Sequence, residues 1–337
     1  MPVTNPHHKP VVALFMPEQT GARVFSEASL ALLDSLAQQV SGFFPQATVN
    51  DQLDQLKEVE VFFTGWHSPR IDESILAAAP KLKAVLHTAG SVNPYTSDAF
   101  WNRNIPISSA FTINNRPVAE FAQAQIVLAL KGYWQSISIY RETKKMPYQQ
   151  VDVPGLKNAT VGLISLGSIA RMVVSHLDRN DIRLIAYDPY VEPAEASDYG
   201  VELVSLEELF ANSQVVSCHT PLTDETRWMI TEDHLIRMPL NGTFINTARG
   251  AIIHTPGLIN ALRARPDLHA ILDVTDPEPL PSDSALLTLP NASISAHIAG
   301  SIGNESYLLG DGMIKELKRY ISGQALEWAI RREQALL

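Results

Sequence analysis

The chain has 337 residues, 45% of them apolar and 18% charged, with a formal net charge of −10. That length suits two domains, each able to bury its own core, and the acidic balance argues against a general binder of nucleic acid or acidic membrane, whose phosphates it would repel. A single cysteine, Cys218, excludes an intrachain disulfide or a Cys-rich metal cage, and no apolar stretch approaches the roughly 20 residues of a membrane span.

The first segment, Met1 to Lys9, is polar and has no apolar signal core, so a soluble, cytoplasmic protein is expected. Val11–Met16 reads as a strand, Ser26–Val40 as a helix through Leu30, Leu33 and Leu36, and Val59–Thr64 as a second strand. Asp72–Ala79 predicts a short helix, and Ala84–His87 and Ile105–Ser109 two further strands. Short strands alternating with helices indicate a parallel α/β layer. From Asn114 the texture changes. Pro117 suits the first turn of a long helix, where a missing N–H is no loss. The segment that follows, Val118–Tyr140, is poor in charge and apolar on more than one stripe, which predicts burial on two sides, including against a second subunit. Glu142–Lys157, polar and holding Pro147 and Pro154, suits an irregular connection.

A second alternation then begins with Thr160–Ile164 as a strand, Ile169–Asp178 as a helix and Ile182–Tyr187 as a strand. Ser205-Leu206-Glu207-Glu208 has the spacing of a capping box. Val215–His219, Thr243–Thr247, His269–Val274 and Ser293–Ala296 read as strands, and Thr255-Pro256 as a helix start with Thr as the cap. Six strands result, the number in a dinucleotide-binding fold. Glu305–Tyr320 predicts a last helix that pattern alone assigns to neither domain.

Between the first strand and helix of this second set lies Val161-Gly162-Leu163-Ile164-Ser165-Leu166-Gly167-Ser168-Ile169-Ala170. Against the fingerprint G-x-G-x-x-G/A it offers Ser165, Gly167 and Ala170. The middle glycine lets backbone approach a pyrophosphate at the helix N-terminus. Ser165 departs from the pattern and carries strain if its turn needs positive φ. Asp188 ends the next strand, 21 residues after Gly167, where an acid accepts hydrogen bonds from adenosine ribose hydroxyls. Pro189 and Tyr190 follow it, with no Arg to welcome a 2′-phosphate, so NAD is favoured over NADP. An ordinary βα turn and an Asp-Pro turn are the duller readings of these two features.

Three polar residues, Arg249, Glu278 and His297, each follow an apolar run in this half. In an open parallel sheet such strand ends converge on one crevice. An Arg, a carboxylate and a His gathered there can bind an α-keto acid and deliver a proton to its carbonyl. Taken singly, each is as easily a surface ion pair, a solvated carboxylate or a core histidine. The other histidines, His7, His8, His67, His87, His176, His234, His254 and His269, show no metal-ligand spacing, so no metal site is expected. His219 lies at a strand end where it can touch the adenine side of a nucleotide or simply pack.

From about Ala84 to Leu326 the chain resembles the D-isomer-specific 2-hydroxyacid dehydrogenases. The matching pieces are Val161–Ala170, His219-Thr220-Pro221-Leu222, Ile245-Asn246-Thr247-Ala248-Arg249-Gly250, Leu272-Asp273-Val274, Glu278-Pro279, His297-Ile298 and the closing Ile321–Leu326. The resemblance implies a two-domain α/β protein. A Rossmann-type, doubly wound parallel sheet (111–300) would be inserted in a discontinuous, flavodoxin-like substrate domain (1–110 and 301–337), with hinges near Ala110–Arg116 and Gly300. It implies Arg249, Glu278 and His297 as the catalytic set. Gly167, Ser168, Ile169, Asp188, Thr220, Pro221, Thr247, Ala248 and Asp273 would join Arg249 and His297 along the NAD site. Gly90, Ser91 and Val92 would join Arg249 around the substrate carboxylate, although their loop matches only in outline.

The activity so implied is hydride transfer between nicotinamide and a small D-2-hydroxy or 2-keto acid, in a homodimer paired through Val118–Tyr140. Glyoxylate, hydroxypyruvate, phosphohydroxypyruvate and bulkier aliphatic keto acids all remain open, with Trp66, His67, Tyr95 and Trp101 as candidate pocket residues. The competing reading is a dinucleotide-sensing, corepressor-like binding protein on the same fold.

Overall fold

The computed structural model describes residues 9–146, 151–177 and 181–335. They gather into two compact units. One comprises the chain through Asn114 together with the chain from Ser301, and the other is Asn115–Gly300.

The first unit runs β1 (Val11–Leu14), α1 (Glu18–Val24), α2 (Glu27–Leu36), β2 (Gln38–Phe43), β3 (Val61–Thr64), α3 (Glu73–Ala78), β4 (Ala84–His87), α4 (Asp98–Asn102) and β5 (Ile107–Ser109). Then comes α5 (Phe111–Leu130), most of which belongs to the second unit. The second unit continues with α6 (Tyr133–Thr143), β6 (Thr160–Ile164), α7 (Ser168–Leu177), β7 (Arg183–Tyr187), α8 (Pro193–Asp198), β8 (Val201–Leu203), α9 (Leu206–Asn212), β9 (Val215–Cys218), α10 (Glu232–Ile236), β10 (Thr243–Asn246), α11 (Thr255–Ala264), β11 (His269–Leu272) and β12 (Ala292–Ile294). The chain then re-enters the first unit as α12 (Glu305–Ile321), β13 (Ala329–Ile330) and α13 (Arg332–Ala335).

The first unit's sheet has the order β13-β5-β4-β3-β1-β2, parallel except for β13. Leaving aside the antiparallel edge strand, that is the 2-1-3-4-5 order of a flavodoxin-like sheet. The pleat alternates its side chains between two cores. Val12 and Leu14 pack with α12 residues Leu309 and Met313, whereas Ala13 and Phe15 pack with Phe62, Phe44 and Phe100. The second unit's sheet is wholly parallel, in the order β12-β11-β10-β9-β6-β7-β8. Its pleat also feeds two cores, with Val161 and Leu163 on one face and Ile164, Val216 and Cys218 on the other. The order reverses between β6 and β9, and in an open α/β sheet ligands bind outside the carboxyl ends of the strands at such a point.

Several expectations need correction. The helix predicted over Ser26–Val40 ends at Leu36, because Gln38–Phe43 pairs with β1 as an edge strand whose exposed, polar face hid its period. The long helix after Pro117 is two helices. The first begins six residues earlier, at Phe111, so Pro117 lies inside it, and Gly132 at φ +64° separates it from the second. The second sheet has seven strands, since the three-residue β8 was too short to show a pattern. His254, not Thr255, caps α11, its Nδ1 accepting the Gly257 N–H at 3.3 Å. The capping box at Ser205 and Glu208 is present. Asp178, the expected end of α7, and residues 147–150 of the expected connection lie outside the described residues. No helix among the described residues is long and apolar enough to cross a membrane.

A buried histidine in each unit makes the fold sensitive to acid. It pushes the imidazole of His87 down to about 3 and that of His269 down to about 4, from an ordinary 6.5. Each ring enters the fold neutral, with His87 Nδ1 2.9 Å from Thr64 Oγ1 and His269 Nε2 2.9 Å from Ser293 Oγ. Below pH 6.5 the unfolded chain takes up protons that the folded chain refuses, so stability is full above that value and falls toward pH 4. Thermal melts should show this decline, and His269→Gln should flatten it. An unchanged slope in that variant would exclude His269 as a contributor.

Candidate active site

The second unit places Arg249, Glu278 and His297 on three loops that leave neighbouring strands. Arg249 follows β10 in extended backbone, and the Asn246 side chain shapes its turn: Oδ1 accepts the Ala248 N–H at 3.0 Å, while Nδ2 donates to the Arg249 carbonyl at 2.9 Å. Gly250 comes next because nothing larger fits. A Cβ there would fall on the carbonyl of Thr275, so only glycine lets this turn lie against the loop that carries Glu278. The Arg249 side chain keeps solvent access and its Nη1 donates to the Ala248 carbonyl at 2.6 Å. Desolvation by the surrounding protein lowers its pKa, and the nearby charge of Glu278 opposes that shift.

Glu278 follows β11. Its Oε2 accepts the Thr275 N–H at 3.3 Å and its Oε1 lies 2.6 Å from His297 Nδ1. Both side chains of this pair remain about half exposed, at 43% and 51%. With Nδ1 engaged, the imidazole has Nε2 left for a ligand. His297 sits at φ +54°, a region that costs a non-glycine residue of the order of 1–3 kcal/mol and needs support from its surroundings.

That support comes from Asp273. Its carboxylate is buried and accepts three hydrogen bonds from the His297 loop, from Ser295 Oγ at 2.6 Å, Ile298 N–H at 2.9 Å and Ala299 N–H at 2.8 Å. The Asp273 carbonyl also accepts the His297 N–H at 3.0 Å. Asp273, expected along the cofactor, thus also braces this loop with its carboxylate. Sequence reasoning passed over Asn246, Thr275 and Ser295, which hold the loops. An Asn closing a strand two residues before a backbone N–H it can accept is an Asx-turn pattern that could have been found.

The other expected cofactor residues line the carboxyl ends of β6, β7, β9 and β10. Gly167 and Ser168 are exposed at the start of α7, with Ile169 half-buried behind them. Asp188 follows β7, and its Oδ2 accepts the Leu166 N–H at 2.8 Å, tying it to the fingerprint loop. Ser165 adopts φ +72°, so the turn does need positive φ. Thr220 and Thr247 are buried, with Pro221 and Ala248 half-buried beside them.

Two observations test whether this edge fits a dinucleotide. A Cβ built on Gly167 would meet only Ser165 Oγ, at 3.8 Å, so the backbone there is open to a close approach. Thr247 Oγ1 and both ring nitrogens of His219 are buried without hydrogen-bond partners among the described residues. Burial pushes the His219 imidazole down to about 4. Unsatisfied polar atoms grouped at the strand ends are what a polar ligand would satisfy. The residues present therefore fit the group. Gly90, Ser91 and Val92 belong to the first unit, on the loop after β4, where Ser109 Oγ donates to the Gly90 carbonyl at 2.6 Å. Among the described residues no three His, Cys, Asp or Glu side chains gather as metal ligands.

A family profile described as "D-isomer specific 2-hydroxyacid dehydrogenase, NAD binding domain" matches residues 125–299. The glyoxylate reductase of Thermofilum pendens is 30% identical over 238 residues, 69% of this chain and 70% of that protein. The D-3-phosphoglycerate dehydrogenase of Mycobacterium leprae is 29% identical over 262 residues, 77% of this chain, but the chain spans only about half (49%) of its length. Among solved structures, the apo D-mandelate dehydrogenase of Rhodotorula graminis has a TM-score of 0.79 at 20% identity, covering 96% of this chain and 98% of that one. A glyoxylate reductase from Paecilomyes thermophila has a TM-score of 0.76 at 24% identity, covering 99% and 100%. These structures share the fold. The chain belongs to the D-isomer-specific 2-hydroxyacid dehydrogenases, and its second unit contains that family's NAD-binding domain.

Gly250→Ala should destabilise the protein by about 1–3 kcal/mol, because the added methyl must displace backbone at Thr275. Urea unfolding would measure this, and wild-type stability would show that the turn is not pinned there.

Proposed function

We propose that the protein is an NAD(H)-dependent oxidoreductase acting on a small D-2-hydroxy acid or the corresponding 2-keto acid. The observation that carries this reading is the 2.6 Å contact between His297 Nδ1 and Glu278 Oε1, beside Arg249 and on the unit that matches the NAD-binding domain. When bound, the nicotinamide supplies or accepts the hydride. His297 presents Nε2 to the substrate oxygen, giving a proton to the ketone in reduction and taking one from the alcohol in oxidation. Glu278 holds the ring by its other nitrogen. Arg249 grips the carboxylate with its planar guanidinium and polarises the ketone oxygen. Gly167, Ser168 and Ile169 at the start of α7 hold the pyrophosphate, Asp188 the adenosine ribose, and Thr220, Pro221, Thr247 and Ala248 the rest of the nucleotide.

NAD is favoured over NADP because Asp188 is followed by Pro189 and Tyr190, with no cation to meet a 2′-phosphate. The glyoxylate reductase relative supports a small keto acid as the acceptor class. A homodimer fits Tyr133 and Tyr140, large apolar side chains left exposed on α6. A cytoplasmic location fits a chain whose one cysteine is buried and free.

NADH oxidation over a panel of 2-keto acids tests the reading, and His297→Ala should lower turnover by about 10²- to 10⁴-fold while NADH still binds. Full turnover in that variant would remove His297 from the mechanism. Binding of NADH with no turnover on any keto acid would favour a dinucleotide sensor. In the same panel NADPH should serve poorly, and a preference for it would overturn the role given to Asp188.

A further inference from the structure

The serine at the first fingerprint position does more than occupy a glycine's place. Ser165 is held at φ +72° by its own N–H, which donates to the Tyr187 carbonyl at 2.8 Å. From there its hydroxyl donates to Asp188 Oδ2 at 3.2 Å. The same oxygen accepts the Leu166 N–H at 2.8 Å, and Oδ1 accepts the Tyr190 N–H at 2.9 Å. An ionised carboxylate offers about four acceptor positions. Three donors of the protein already use this one, so about one position is left.

A ribose with two neighbouring hydroxyls can use two. The Leu166 and Tyr190 donors are backbone groups that any residue but proline would supply at those positions. The Ser165 hydroxyl is different, because a fingerprint glycine has no such group. By donating, it also draws off part of the negative charge that would repel a 2′-phosphate.

We infer that Ser165 tunes cofactor specificity: its hydroxyl takes an acceptor position on Asp188 that the adenosine ribose would otherwise use. The chain then holds NAD(H) less tightly, and rejects NADP(H) less steeply, than Asp188 beside a glycine would. This rests on the reading of Asp188 as the ribose acid. Ser165 acts through Asp188 and is a positioning residue.

The test is calorimetric titration of NADH and NADPH, without substrate, into wild type, Ser165→Ala, Ser165→Gly and Asp188→Ala. Ser165→Ala removes the hydroxyl and keeps Cβ, whereas Ser165→Gly also relieves the backbone. Both serine variants should bind NADH about three- to tenfold more tightly, the worth of one added hydrogen bond, with no gain for NADPH. Tightening in Ser165→Gly alone would assign the effect to backbone relief and overturn the inference. Unchanged or weaker NADH binding in Ser165→Ala would overturn it as well. Asp188→Ala separates the two levels. If it binds NADH as wild type does, Asp188 is not the ribose acid and the underlying reading fails. If it binds NADH more weakly while Ser165→Ala matches wild type, only the inference about Ser165 fails.

Discussion

A buried carboxylate that answers three donors of one loop is the constraint on which the candidate site depends. Asp273, at the end of β11, accepts from Ser295, Ile298 and Ala299, and its carbonyl takes the His297 N–H. Without that grip, the left-handed backbone at His297 loses its main support. The imidazole could then relax away from Glu278. Hydrogen bonds to a charged acceptor are stronger than neutral ones, and burial removes the competing water. The histidine is thereby presented on a rigid edge although it sits on a loop.

The same economy recurs at other strand ends. Asn246 shapes the turn of Arg249, Gly250 allows that turn to touch the Thr275 backbone, and Asp188 holds the fingerprint loop through Leu166. Each strand of a parallel sheet ends on the same side, so loops that are distant in sequence become neighbours. Holding these loops against one another converts that topological fact into distances of hydrogen-bond length. Among the buried polar atoms left unpaired, those of Thr247 and His219 follow the strand ends, where a ligand can meet them.

Much of this was legible in the residues. Alternating apolar runs marked both parallel layers, and most strands appear within one or two residues of their expected bounds. Runs buried on both faces are continuous, and that makes them easy to see. Elements at the edges were not legible in the same way. Strand β2 is half solvated and lacks the apolar run, β8 has only three residues, and the break at Gly132 sits between two stretches of like composition. Each owes its form to a neighbour in space.

The site divides along the same line. Residue types and their order indicated an Arg, a carboxylate and a His at strand ends, a dinucleotide turn with a serine in a glycine's place, and an acid after the second strand. Those are properties of single positions and short spacings, which a sequence carries in itself. Only the tertiary structure decided that Glu278 bonds His297 through Nδ1, that Asp273 serves the histidine loop, and that Ser165 spends its hydroxyl on Asp188. Which oxygen meets which nitrogen depends on how loops from non-adjacent segments pack, and packing is settled by the whole chain at once.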